Sequence, residues 1–195
     1  MQLSFFAADA EPASLADLDG LLAGPAQVVR VGAAARVSVV LPTPGDAPGW
    51  RAEELLGEFT KRDLGGDVTT TVDDLAAVRT DLRPELLPLS ISWARGAIKA
   101  PPRGFLLDGP RLRLWAIAAG RQDNHGYLFT VGESDEVGWS AVGAALARAG
   151  LPAALVGPRA GGPAYRVTGQ RRLRRLRELV GEPPAGATER DWPPS

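Results

Sequence analysis

The sequence predicts an α+β protein built from two αββαββα-type repeats, the second with a shortened first hairpin. Three observations lead there. Stretches with helical apolar spacing and stretches with alternating polarity succeed one another as helix, two strands, helix, two strands, helix before residue 100. Nearly the same order recurs after it. Short words also recur in register with that order: Gly49-Trp50 opening a helix matches Gly138-Trp139, and Val78-Arg79-Thr80 before a helix matches Tyr165-Arg166-Val167. Finally, each repeat opens on an apolar helix carrying small residues, Gly20 in the first and Ala119-Gly120 in the second. Small residues inside a helix leave backbone bare, which serves the close approach of another helix.

Element by element, residues 13–22 read as a helix, with Ser14 as N-cap and Leu15, Leu18, Leu21 and Leu22 on one stripe. Residues 27–31 and 36–41 read as strands around a turn at 32–35, and 42–49 as a loop rich in turn residues. Residues 50–63 form a helix, with Leu55, Leu56 and Phe59 inward and Arg51, Glu53, Glu54 and Lys61 outward. Strands at 68–72 and 77–82 follow, then a helix over 84–97 that Pro84 is suited to open. After the break at 101–104, Asp108 caps a helix running to about Gln122, and 127–131 is a strand. The chain between that helix and Trp139 holds one good strand where the first repeat has a hairpin. A helix over 139–149, strands at 153–156 and 164–168, and a helix over 170–180 complete the second repeat. The expected division is residues 1–103, residues 104–183, and a proline-bearing, poorly ordered tail at 184–195.

Composition narrows the function. No segment is long and apolar enough for a membrane span, and residues 1–10 lack the basic start and cleavage site of a signal peptide, so a cytoplasmic protein is expected. There is no cysteine, hence no disulfide or thiolate chemistry. The bias toward Arg, Ala, Gly and Pro fits a GC-rich bacterial genome. The net charge of −1 argues against a strong non-specific nucleic-acid binder. The balance is uneven, with 9 basic against 14 acidic residues through position 100 and 13 against 9 beyond it. Five of the later arginines (171, 172, 174, 175 and 177) fall in the last helix, where a solvated face around Leu173, Leu176 and Leu179 is the plain reading. The glycine-rich run 157–163 has no lysine and no phosphate-loop ending, and one histidine, His125, leaves little scope for a serine triad.

The two opening helices carry a further likeness. Leu18-Asp19-Gly20-Leu21-Leu22-Ala23-Gly24-Pro25-Ala26 stands against residues 118–126, with Gly20 opposite Gly120. These words resemble the signature helix of LAGLIDADG homing endonucleases: Leu18, Gly20 and Leu21 match in the first copy, Ala119, Gly120, Asp123 and Gly126 in the second. The tandem element order is similar to that of the single-chain members. The resemblance implies that the two helices cross at a pseudo-twofold axis, with Gly20, Ala119 and Gly120 at the helix–helix interface, and that two sheets form a saddle over DNA. A monomer then supplies its own symmetry. The family also places one acid per repeat just before the terminal glycine, to hold divalent metals that activate water. The matching positions here are Pro25, which has no ligating side chain, and His125.

The resemblance so qualified implies a degenerate chain with no catalytic residue, metal or cofactor, and therefore not an enzyme. The WhiA-type sporulation regulators are comparable, although no helix-turn-helix is evident here. The expected function is DNA binding in bacterial transcriptional regulation, with double-stranded DNA held by the outward strand arginines Arg30, Arg36, Arg79 and Arg166. Asp73, Asp74 and Asp81 lie nearby and would repel phosphate. A protein-interaction module on the same scaffold is the alternative, its neutral saddle and arginine-rich last helix meeting a protein partner.

Overall fold

Ser14 starts the first helix as its side chain dictates: its Oγ accepts the Ala16 N–H at 3.3 Å, and the Asp17 carboxylate accepts the Ser14 N–H at 2.8 Å. A 3-10 turn over Leu15–Leu18 leads into α1 (Asp19–Ala23), followed by β1 (Gln27–Val31), β2 (Ala34–Pro44), α2 (Trp50–Thr60), β3 (Gly66–Thr70) and β4 (Leu75–Thr80). A second 3-10 turn at Pro84–Leu86 leads into α3 (Leu87–Ser92) and a two-stranded ribbon, β5 (Ala94–Arg95) and β6 (Ile98–Lys99). The second half runs α4 (Gly109–Ala119), β7 (Gly120–Asp123), β8 (Gly126–Thr130), α5 (Glu136–Arg148), β9 (Ala154–Val156), β10 (Ala164–Val167) and α6 (Gln170–Val180). This computed structural model describes residues 12–44, 49–133 and 136–194. The readings of residues 1–10 and of the middle of the 42–49 loop fall outside them.

The fold is α+β, with two four-stranded antiparallel sheets whose strand orders are β1-β2-β4-β3 and β7-β8-β10-β9. The order is the same in both. One face of each sheet packs on helices, and a single apolar core joins them: Leu18, Leu21, Val37 and Phe59 belong to it with Trp115, Phe129, Leu146 and Leu176. Trp115 and Phe129 lie 4.6 Å apart, ring centre to ring centre, in its middle.

Several boundaries differ from the sequence reading. The helix expected over 84–97 ends at Ser92, where the Ser90 and Ser92 hydroxyls donate back to the Leu87 and Leu89 carbonyls. The chain then turns at Gly96, φ +63°, to form the ribbon. The helix expected to reach Gln122 ends at Ala119, because Gly120 adopts extended backbone and residues 120–123 pair with β8. The first hairpin of the second half is therefore present and short, its β8 five residues long against eleven in β2.

The C-terminal segment differs most. Composition predicts a loose tail from 184, yet residues 184–194 are docked on the body. Trp192 is 2% exposed, donates its indole N–H to the Gly181 carbonyl at 2.9 Å, and lies 5.3 Å beneath the Arg113 guanidinium. The Gln122 N–H, at the edge of the second sheet, donates to the Arg190 carbonyl at 2.6 Å. One aromatic anchor outweighs the polar, proline-bearing composition around it.

Candidate nucleic-acid interface

The helices α1 and α4 cross where Gly20 meets Arg111. A Cβ at Gly20 would lie 1.9 Å from the Arg111 carbonyl oxygen, and one at Gly24 would lie 2.6 Å from the Trp115 ring. Gly120 does not take part in that crossing: a Cβ there would strike the Tyr127 hydroxyl at 2.0 Å and the Ala116 backbone of its own helix. Ala119, buried at 4% exposure, ends α4. Residues 120–126, matched on sequence to the end of a signature helix, are instead a β-hairpin with Asn124 and His125 at its turn. The segment that meets α1 lies about nine residues earlier.

Each crossing helix ends against a cation. Lys99 donates from Nζ to the Gly24 and Ala26 carbonyls at 2.9 and 2.8 Å. Arg51 donates to the carbonyls of Ala116 at 3.0 Å, Ile117 at 2.5 Å and Gly120 at 2.7 Å, and to Asp191 at 3.0 Å. Cations at helix C-termini satisfy carbonyls the helix cannot use and complement its dipole. Arg51, expected outward, is only 9% exposed. Burial pulls its pKa below the ordinary arginine value, with Asp191 among the groups opposing. Burial also works against ionisation of Asp191, but hydrogen bonds from Thr188 and Arg51 outweigh it and hold the carboxyl below the usual range. The Tyr127 hydroxyl, its pKa pushed up by burial, donates to the Asp191 carbonyl at 2.9 Å.

The residues at these helix ends do not fit a divalent metal. Pro25 and the alanines of α4 offer no ligating side chain, and the free carbonyls are taken by Lys99 and Arg51. Among the described residues no group of three His, Cys, Asp or Glu is arranged to hold a metal.

The faces of the sheets turned away from the helices follow from register, since cross-strand partners share a face. On the first sheet Val29 pairs with Arg36, Val31 with Ala34, Ser38 with Arg79, and Arg79 with Asp67. These residues line its outward face. Arg30 pairs with buried Ala35 and belongs to the opposite face, where its Nε donates to the Gly32 carbonyl at 3.2 Å. Its placement among the outward arginines is thus corrected. Arg36 has no hydrogen-bond or ion-pair partner among the described residues. Arg79 pairs with Asp67 at 2.9 Å, and its Nε has no partner.

The outward face of the second sheet carries Arg121, Asp123, Leu128 and Arg166. Here the 157–163 loop folds over the strands. Arg121 donates to Thr130 Oγ1 at 2.9 Å and to the Gly161 carbonyl, while Arg166 donates to the Ala160 carbonyl at 3.0 Å and pairs with Asp123 at 2.6 Å. Leu128 is left 1% exposed. Burial opposes ionisation of Asp123, yet the His125 N–H and Arg166 keep its carboxyl below the usual range. Arg79 and Arg166 both face outward but are two residues out of step: counted from the hairpin turns, Arg79 stands opposite the fifth residue of β2 and Arg166 opposite the third of β8. Sequence reasoning missed Arg121 because it was counted into a helix. Its signal was the alternation Arg121-Gln122-Asp123 just before a turn.

Neither a protein-family model nor a curated protein sequence matches the chain. Among solved structures it is similar to that of the homing endonuclease I-WcaI bound to its DNA recognition sequence, with a TM-score of 0.57 and 9% identity, covering 92% of this chain and 82% of that one. The expectation that the chain is not an enzyme is overturned: the similar structure is an endonuclease, so the fold is one that enzymes use. The ground for that expectation also weakens, since His125 sits in a hairpin turn rather than at a helix end. The fold is homing-endonuclease-like, as the LAGLIDADG resemblance implies.

Proposed function

We propose that the chain binds double-stranded DNA through the outward faces of its sheets and acts in the regulation of transcription in a bacterium. Arg36 carries the reading: a guanidinium on an outward strand face, with no partner among the described residues, in a homing-endonuclease-like fold. Arg79 supports it. Its exposed pair with Asp67 is worth roughly 0.2–1 kcal/mol, so a phosphate can replace the carboxylate at little cost. Arg121 and Arg166 lie on the second face but are engaged by the 157–163 loop. These few contacts position a duplex, with affinity that falls as salt rises. Retention in gene regulation follows the WhiA-type resemblance.

Fluorescence anisotropy with a pool of genomic duplexes at low and moderate salt tests the reading. Binding at low salt, weakened by Arg36→Ala and by moderate salt, is the expected result, and no binding at low salt refutes it. The same duplexes incubated with magnesium report any strand cleavage separately from binding. A protein-binding module is the second reading, favoured by the exposed Val29, Val31 and Val40 on the first sheet's outward face.

A further inference from the structure

The outward face of the first sheet is unusual for a surface meant to meet phosphates alone. Val29 is 47% exposed and Val31 53%, side by side on the edge strand β1, with Ala34 and Arg36 directly across from them on β2. Apolar side chains left open on a strand contribute nothing to the core. The second sheet shows the contrast: its outward Leu128 is covered by the 157–163 loop and both of its arginines are engaged there.

Spacing and charge indicate what covers the valines. Residues two apart on one face of a strand lie about 6.7 Å apart, and base edges along the winding major groove are separated by more than the axial rise of about 3.4 Å per step. A strand laid along the groove therefore presents Val29 and Val31 to neighbouring base edges. The apolar feature that a base offers there is the C5-methyl group of thymine, and apolar side chains read it by contact. Arg36, beside Val29 and without a described partner, complements the adjoining phosphates. A partner protein with an apolar patch would satisfy the valines but would leave the Arg36 guanidinium without matching charge.

We propose that Val29 and Val31 recognise C5-methyl groups of neighbouring base pairs in the major groove, so that the first sheet selects methyl-bearing pyrimidines. The proposal rests on the DNA-binding reading above. Each methyl removed from water against a valine is worth about fourfold in affinity, and two about fifteenfold.

Four 24-bp duplexes test it by anisotropy at one low salt concentration: alternating dA-dT, the same with deoxyuridine for thymidine, alternating dG-dC, and the same with 5-methylcytosine. Within each pair only the C5-methyl changes, and it recurs every second base along each strand. The full-length protein is expected to bind the methyl-bearing member of both pairs on the order of tenfold more tightly. In Val29→Ser/Val31→Ser the preference vanishes while residual binding to all four duplexes persists. Both sites are exposed, and an unchanged melting temperature verifies that the fold survives. Equal wild-type affinity within both pairs overturns the proposal and leaves DNA binding standing. A preference that survives in the double variant also overturns it, by placing methyl recognition elsewhere. Failure to bind any duplex removes the DNA-binding reading as well. Self-association that the double variant abolishes would then assign the valines to a second copy of the chain.

Discussion

At the scale of single residues, the molecule is most sensitive where backbone meets backbone. Gly20 is the extreme case, because a methyl group there would overlap the Arg111 carbonyl rather than a side chain that could swing away. Overpacking of this kind costs about 3 kcal/mol. Gly57 provides an internal control: it lies in mid-helix on α2, exposed, and a Cβ there would meet nothing within 4 Å. Gly57→Ala is therefore expected to stabilise by roughly 0.5–1 kcal/mol through helix propensity. Urea midpoints of the two variants should move in opposite directions. Equal, small shifts would mean that α1 and α4 do not approach as closely as the Gly20 contact requires. The sequence made Gly20 legible, since a glycine within an apolar helical stripe has few other uses. Its partner was not legible. Arg111 presents a backbone carbonyl to Gly20, and no residue type advertises a bare carbonyl, so the match fell on Ala119-Gly120, which merely looks alike.

Elements show where local pattern stops being informative. The succession of strands in the first half and the amphipathic helices α2, α5 and α6 follow from periodicity, because one buried face imposes it. Residues 120–123 and 184–194 did not follow, and they depend on one another. Arg190 lends a carbonyl to the edge of β7 at Gln122, and Asp191 ties Arg51 to the end of α4. Such partners lie roughly 70 to 140 positions apart, beyond any sequence window. The C-terminal segment accordingly acts as a structural strap, and its ionisation makes it sensitive to acid. Asp191 has a pKa lowered in the folded protein, so its contribution is complete above the ordinary carboxylate value near pH 4 and is lost as pH falls through the lower native value. Asp191→Asn is expected to cost about 1–2 kcal/mol at pH 6, where charge-assisted hydrogen bonds from Thr188 and Arg51 are lost. As pH falls below about 4 and through the lowered native value, the deficit should shrink, since wild-type Asp191 then takes up its proton as well. A deficit that does not shrink on acidification in urea melts would mean that the carboxylate charge does not hold the strap.

For the whole molecule, the question is which surface meets DNA, because positive charge is concentrated in two places. The sheet faces hold Arg36 and Arg79, with Arg121 and Arg166 restrained by the 157–163 loop. Helix α6 exposes Arg171, Arg172 and Arg174 in its N-terminal half, where the first turn has no acid to offset them. A chain of net charge −1 gains little from diffuse attraction, so binding must come from local contacts. Counterion release distinguishes the two places. With about two to four phosphate contacts, the logarithm of affinity should fall against the logarithm of salt concentration with a slope of about −2 to −4, each lost contact reducing it by about 0.9. If the sheet face carries the duplex, Arg36→Ala flattens the slope by about one unit, whereas Arg172→Ala/Arg174→Ala leaves it unchanged. The reverse pattern would move the duplex to α6 and remove Val29 and Val31 from the interface. Both variants alter exposed or half-buried side chains outside the core, so a change in slope reports where phosphates lie rather than whether the protein is folded.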